Sequence, residues 1–132
     1  MKIYLDIDGV LLTKQSKPAN YFSEFIEFVA LNFDCFWLTT HCKGKAEEAV
    51  KYLLQYAPKE SFPALLTIKP TNWNALKTEA IDFKRNFLWI DDYVMEAEKK
   101  VLLKNNCLQN LILIDLVKKP DELHTIYARL QM

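Results

Sequence analysis

The sequence predicts an α/β fold, a mainly parallel five-stranded sheet between two layers of helices, and three observations carry that prediction. Short apolar runs alternate with helical stripes along the chain. The runs are continuously apolar instead of alternating, as expected of strands covered on both faces. The chain has 132 residues, 51% of them hydrophobic, which suits one core and a single domain over 1–132.

Ile3 to Ile7 reads as the first strand and ends among acidic residues. Gly9 and the segment to Asn20 form a turn and a short excursion. Tyr21 to Leu31 spaces Phe22, Phe25, Ile26 and Val29 three and four apart, a helical stripe. Cys35 to Leu38 is a second strand, bounded by Asp34 and by Thr39-Thr40. Gly44 to Tyr56 is the clearest helix, with Ala46, Ala49, Val50, Leu53 and Ala57 on one face. Pro58 and Pro63 bracket a loop, and Ala64 to Ile68 reads as a third strand that Pro70 ends. Asn72 is the expected N-cap of a helix carrying Trp73, Leu76 and Ala80. Phe87 to Ile90 forms a fourth strand closed by Asp91-Asp92, and a helix from about Tyr93 to Lys104 follows. Leu111 to Ile114 is the fifth strand, and a helix from about Pro120 to Leu130 ends the series.

Charge is balanced, 17 basic residues against 17 acidic, so nothing global draws the chain to nucleic acid or to an anionic membrane. Cys35, Cys42 and Cys107 are odd in number and lack Cys-x-x-Cys spacing, which suits a reducing compartment. Two carboxylates fall within the first eight residues, leaving no room there for a signal core, and no stretch is long enough to span a bilayer. A cytoplasmic location is the expectation.

Ligands of a parallel α/β sheet bind beyond the carboxyl ends of its strands. The first strand ends there in Asp6-Ile7-Asp8-Gly9, the second in Thr39-Thr40 and the fourth in Asp91-Asp92. Clustered carboxylates repel one another, and a divalent cation relieves them. Few carboxylates, completed by water and phosphate, are the Mg²⁺ preference. Alternate residues of an extended chain leave on one face, so Asp6 and Asp8 are expected to point together, and Gly9 permits a sharp turn after them. Each motif taken alone also fits a helix cap or a solvated turn; their joint order is what those readings leave unexplained.

This ordered set resembles the haloacid dehalogenase superfamily of phosphohydrolases over nearly the whole chain. Asp6-Ile7-Asp8-Gly9-Val10 resembles its first motif, Phe36-Trp37-Leu38-Thr39 its second, and Leu88-Trp89-Ile90-Asp91-Asp92 its fourth. The third motif is a lysine before the fourth strand, where Lys77 is preferred and Lys69 is the alternative. The resemblance implies a Rossmann-like three-layer sandwich and a Mg²⁺-dependent phosphatase acting on a phosphorylated small molecule or an exposed macromolecular phosphate. Asp6 would be the nucleophile, Asp8 the general acid and base, and Lys77 the charge-balancing cation. Gly9, Thr39 and Thr40 would bind phosphate, and Asp6, Asp8, Asp91 and Asp92 would hold the metal. Asp8 favours phosphate esters, because dehalogenase and phosphonatase branches lack it. About thirty residues separate Asp8 from Thr39, too few for the cap domain of many relatives. His41, beside the phosphate loop, reads either as a substrate contact or as a solvated helix-start residue. The rival functions are a receiver-like phospho-acceptor domain and a binding protein that keeps the fold without catalysis.

Overall fold

β1 (Lys2–Leu5) and β3 (Phe87–Asp91) are the central strands of a four-stranded parallel sheet, and β2 (Asp34–Trp37) and β4 (Leu111–Leu113) are its edges. The strand order is β2-β1-β3-β4 in this computed structural model, which describes residues 1–131. β1 is buried on both faces because helices cover both. Ile3, Leu5 and Ile7 share one cluster with Phe25 and Ile26 of α1 (Phe22–Asn32) and with Leu123 and Ile126 of α5 (Glu122–Leu130). α2 (Ala46–Leu54) adds Ala49 and Leu53 to that cluster. Tyr4 belongs to a second cluster with Phe87, Trp89 and Leu102, the last from α4 (Glu96–Lys104). The alternation of β1 between the two clusters follows the two-residue repeat of a strand. Trp37 and Trp89 are fully buried, as their place in apolar strands predicts, each contributing about 2–3 kcal/mol of apolar burial.

The third strand predicted at Ala64 to Ile68 does not form, so the sheet has four strands and not five. α3 (Phe62–Leu65) takes up that apolar run, with Pro63 in its first turn, where a missing N–H costs nothing. What remains of a fifth strand is one bridge between Lys69 and Phe36, with the Trp37 N–H donating to the Lys69 carbonyl at 2.8 Å. The following Pro70 has no N–H to extend the ladder.

The helix predicted from Asn72 is likewise replaced, by an irregular loop and a single 3₁₀ turn at Lys77–Ala80. Its backbone donors go to a side chain: the Glu79 carboxylate accepts from the N–H groups of Asn74, Ala75 and Leu76 at 3.0, 3.2 and 2.9 Å. The other elements form where expected with shifted ends: β1 stops at Leu5, β2 begins at Asp34, β3 runs to Asp91, α4 begins at Glu96 and α5 at Glu122. Cys35, Cys42 and Cys107 are buried and unpaired. Among the described residues no helix is long and apolar enough to cross a membrane.

Candidate functional site

Strand register sets the centre of the site. β1 and β3 run parallel with Leu5 opposite Ile90, and the Asp6 N–H donates to the Ile90 carbonyl at 3.0 Å. The next residue along each chain is an aspartate, so Asp6 and Asp91 stand side by side, about 4.8 Å apart in the backbone. Counting by twos from Tyr4 and from Trp89 puts both carboxylates on the face of the second cluster.

Asp91 is 1% exposed and its carboxylate is saturated. Oδ1 accepts from the N–H groups of Asp92 and Tyr93 at 2.8 and 3.2 Å. Oδ2 accepts from Trp89 Nε1 at 3.1 Å and from the Lys77 ammonium at 2.8 Å. That ammonium also lies 3.5 Å from Asp6 Oδ1, which makes Lys77 the shared counter-ion of both aspartates. Lys69, the alternative, is elsewhere: it pairs with Asp34 at the start of β2. Burial works to lower the Lys77 pKa, and the charges of Asp6 and Asp91 overcome it, so the net shift is upward. Burial, and then the charge of Asp91, push Asp6 up to about 8 against the pull of Lys77.

Asp92 stands beside this pair with much of its surface open; partial desolvation of its carboxyl, and then its contact with Asp91, raise its pKa as well. Gly9 is packed directly against it. A Cβ at Gly9 would lie 2.8 Å from the Asp92 Cβ and closer still to its carboxylate, and Gly9 has φ +81°. Only glycine meets both conditions without strain. Asp6, Asp91 and Asp92 each offer an oxygen, all within 4.8 Å of one another. Three crowded carboxylates with all-oxygen donors suit a hard cation such as Mg²⁺. Asp91 accepts from four donors, so Asp6 and Asp92 carry the less engaged of the three carboxylates.

Asp6, Lys77, Asp91 and Asp92 line a cavity of about 280 Å³ together with Thr40, and Trp73 and Tyr93 also contribute to its wall. Thr39, the residue before Thr40, is buried. Its hydroxyl oxygen accepts from the His41 N–H at 3.3 Å, which shapes the loop after β2 and leaves its own O–H free to donate. Gly9 and Asp92 also border a second cavity, of about 310 Å³, whose far side carries Lys14 and Asp115.

Asp8 departs from expectation. Its carboxylate is not part of the acidic cluster and so does not join the predicted four-carboxylate metal set. The strand geometry that would align it with Asp6 ends at Leu5, and at Ile7 the chain turns: the N–H groups of Val10, Leu11 and Leu12 all converge on the Ile7 carbonyl. Asp8 is thereby delivered to the β2 loop and to α2. Tyr52 donates its O–H to Asp8 Oδ1 at 2.6 Å, and His41 Nε2 lies 2.9 Å from Asp8 Oδ2.

Two residues at the site have no clear signal in the sequence. Tyr52 is one of six tyrosines and sits next to the core residue Leu53 on a helix read only for its apolar face. Glu98 is 3% exposed and accepts from the N–H groups of Lys77 and Met95 at 2.7 and 3.0 Å, tying the lysine's backbone to the start of α4. A Glu three residues after Met95 is the spacing of an N-terminal helix box and was the one available hint. In comparisons with family models, curated proteins and solved structures, no match to the chain was found.

Proposed function

We propose that the chain is a Mg²⁺-dependent phosphohydrolase of the haloacid dehalogenase type, hydrolysing phosphate monoesters through an aspartyl-phosphate on Asp6. The observation that supports this reading best is the juxtaposition of Asp6 and Asp91 at the ends of paired strands, bridged by Lys77 over one cavity. Buried carboxylates of like charge are costly to maintain, and a structural role alone gives no reason to place a cavity on them.

In this reading the phosphate enters the cavity against Thr40, with the Lys77 ammonium balancing its charge. An Asp6 oxygen forms a bond to phosphorus as the bond to the leaving oxygen breaks. Asp8 would act as the general acid, giving a proton to that oxygen as the alcohol leaves. Water then attacks the phosphorus, Asp8 takes back a proton, and the Asp6–phosphorus bond breaks to free inorganic phosphate. A Mg²⁺ ion held by Asp6 and Asp92 would supply positive charge against the two anions that must approach each other. Asp91 serves as anchor: it fixes Lys77 and the backbone of Asp92 and Tyr93.

The test is release of phosphate from p-nitrophenyl phosphate and a panel of phosphoesters by the purified protein, with Mg²⁺ and with EDTA. Turnover that needs Mg²⁺ and drops by about 10⁴-fold or more in Asp6→Asn is the expected result. A folded protein that turns over none of them, with Mg²⁺ in excess, removes the proposal.

A further inference from the structure

Asp8 stands apart from the other aspartates in how it is held. Three segments far apart in the sequence meet at it: the turn after β1, the loop after β2 through His41, and α2 through Tyr52. Each contact takes a different oxygen of the carboxylate. The two rings that make them are themselves stacked, centroids 3.9 Å apart and 13° from parallel. His41 is further fixed by its backbone N–H on the Thr39 hydroxyl. Tyr52 stays a donor over the working range, because its hydrogen bond to Asp8 and its burial push its pKa up to about 12.

A carboxylate that is 55% exposed on its side chain would ordinarily rotate freely. With both oxygens engaged by a stacked pair, its plane is set. We infer that His41 and Tyr52 are positioning residues that aim the Asp8 carboxyl at the leaving oxygen, equipping the site for unactivated alkyl phosphate monoesters. The inference rests on the phosphohydrolase reading of the same site. Its chemical sense is that an alkoxide leaves poorly unless it receives a proton as the P–O bond breaks, whereas a nitrophenolate leaves with little help. An acid held in one orientation matters for the first kind of ester and much less for the second. The proton moves from Asp8 to the alkoxide oxygen; of the reacting groups, His41 and Tyr52 contact Asp8 alone.

The experiment compares kcat/KM for glycerol 2-phosphate and for p-nitrophenyl phosphate, with Mg²⁺, in the wild type and in Tyr52→Phe, His41→Leu and His41→Gln. The ratio kcat/KM reports steps through phosphoryl transfer, where the leaving group departs. Tyr52→Phe and His41→Leu are expected to lose about 10–100-fold on the alkyl ester and at least about ten-fold less on the aryl ester. His41→Gln, whose amide nitrogen reaches toward the same oxygen, is expected to recover part of that difference. In an Asp8→Asn background Tyr52→Phe should add almost nothing. Equal losses on both esters, no loss, or a gain from freeing Asp8 would each overturn the positioning role while leaving the hydrolase reading intact. A folded wild type inactive on both esters overturns the alkyl-ester inference, and inactivity across the whole phosphoester panel overturns the hydrolase reading with it.

Discussion

Asp6 and Asp91 sit at the ends of paired central strands, 7% and 1% exposed, while Asp8, two residues beyond Asp6, has left the sheet and lies open to solvent between a loop and a helix. The inner pair owes its position to backbone hydrogen bonds and register, which no single side chain controls. The outer carboxylate owes its position to two side chains. Substitution near the inner pair therefore disturbs charge before geometry, and substitution near Asp8 disturbs geometry before charge. In the proposed reaction these two carboxylates of one short motif would serve two tasks, Asp6 as nucleophile and Asp8 as acid.

The sharpest test of this contrast is Lys77→Met, which leaves Asp6 and Asp91 facing each other without a counter-ion. A loss of about 3 kcal/mol in denaturant unfolding is expected in EDTA, and about 10²-fold or more in phosphatase kcat. Lys69→Met supplies the comparison: its pair with Asp34 is exposed at both ends, so both readings should stay within about 0.5 kcal/mol and two-fold of wild type. Similar effects from the two lysines would break the distinction.

A second test uses pH. The folded-state pKa of Asp6 is raised to about 8 from an ordinary value of 3.8, so between those limits the folded protein holds a proton that the unfolded chain releases. Stability in EDTA should then fall as pH rises from about 4 to 8, and the fall should be absent in Asp6→Asn. Saturating Mg²⁺ should remove it in the wild type, since a bound cation favours the ionised carboxylate. Melting temperatures at pH 5 and pH 8, with and without Mg²⁺, decide the matter; a flat profile in EDTA would mean that Lys77 alone neutralises the pair.

The smallest expected effect is at the seam between the two regions. Gly9→Ala forces a Cβ into Asp92 at a left-handed φ, and should cost about 1–3 kcal/mol while weakening Mg²⁺ binding by calorimetry. An unchanged Mg²⁺ affinity would argue that Asp92 is not the free ligand.

Much of the inner region was legible in the chain and little of the outer. Apolar runs ending in aspartate announce both the strand and the end at which ligands bind, so Asp6 and Asp91 could each be placed at a strand end, while their meeting depended on β1 and β3 being neighbours. The run at Ala64 to Ile68 failed for a local reason: a short apolar stretch fits a helix as well as a strand, and Pro63 suited the first turn of α3. The alignment of Asp8 with Asp6 failed because the two-residue repeat holds only while the strand lasts, and β1 ends at Leu5.

By itself, then, the sequence determined the layered α/β plan, the buried strands and the carboxylates at their ends, since these follow from periodicities a few residues long. Only the tertiary structure decided that Lys77 and not Lys69 reaches Asp6 and Asp91, that the hydrogen bonds of Asp91 are used up while those of Asp92 are not, and that Asp8 meets His41 and Tyr52. Those outcomes depend on how crossover segments of several tens of residues fold back over the strand ends. Many side chains of the same kind compete there for each partner, and register and packing, which no local pattern encodes, select among them.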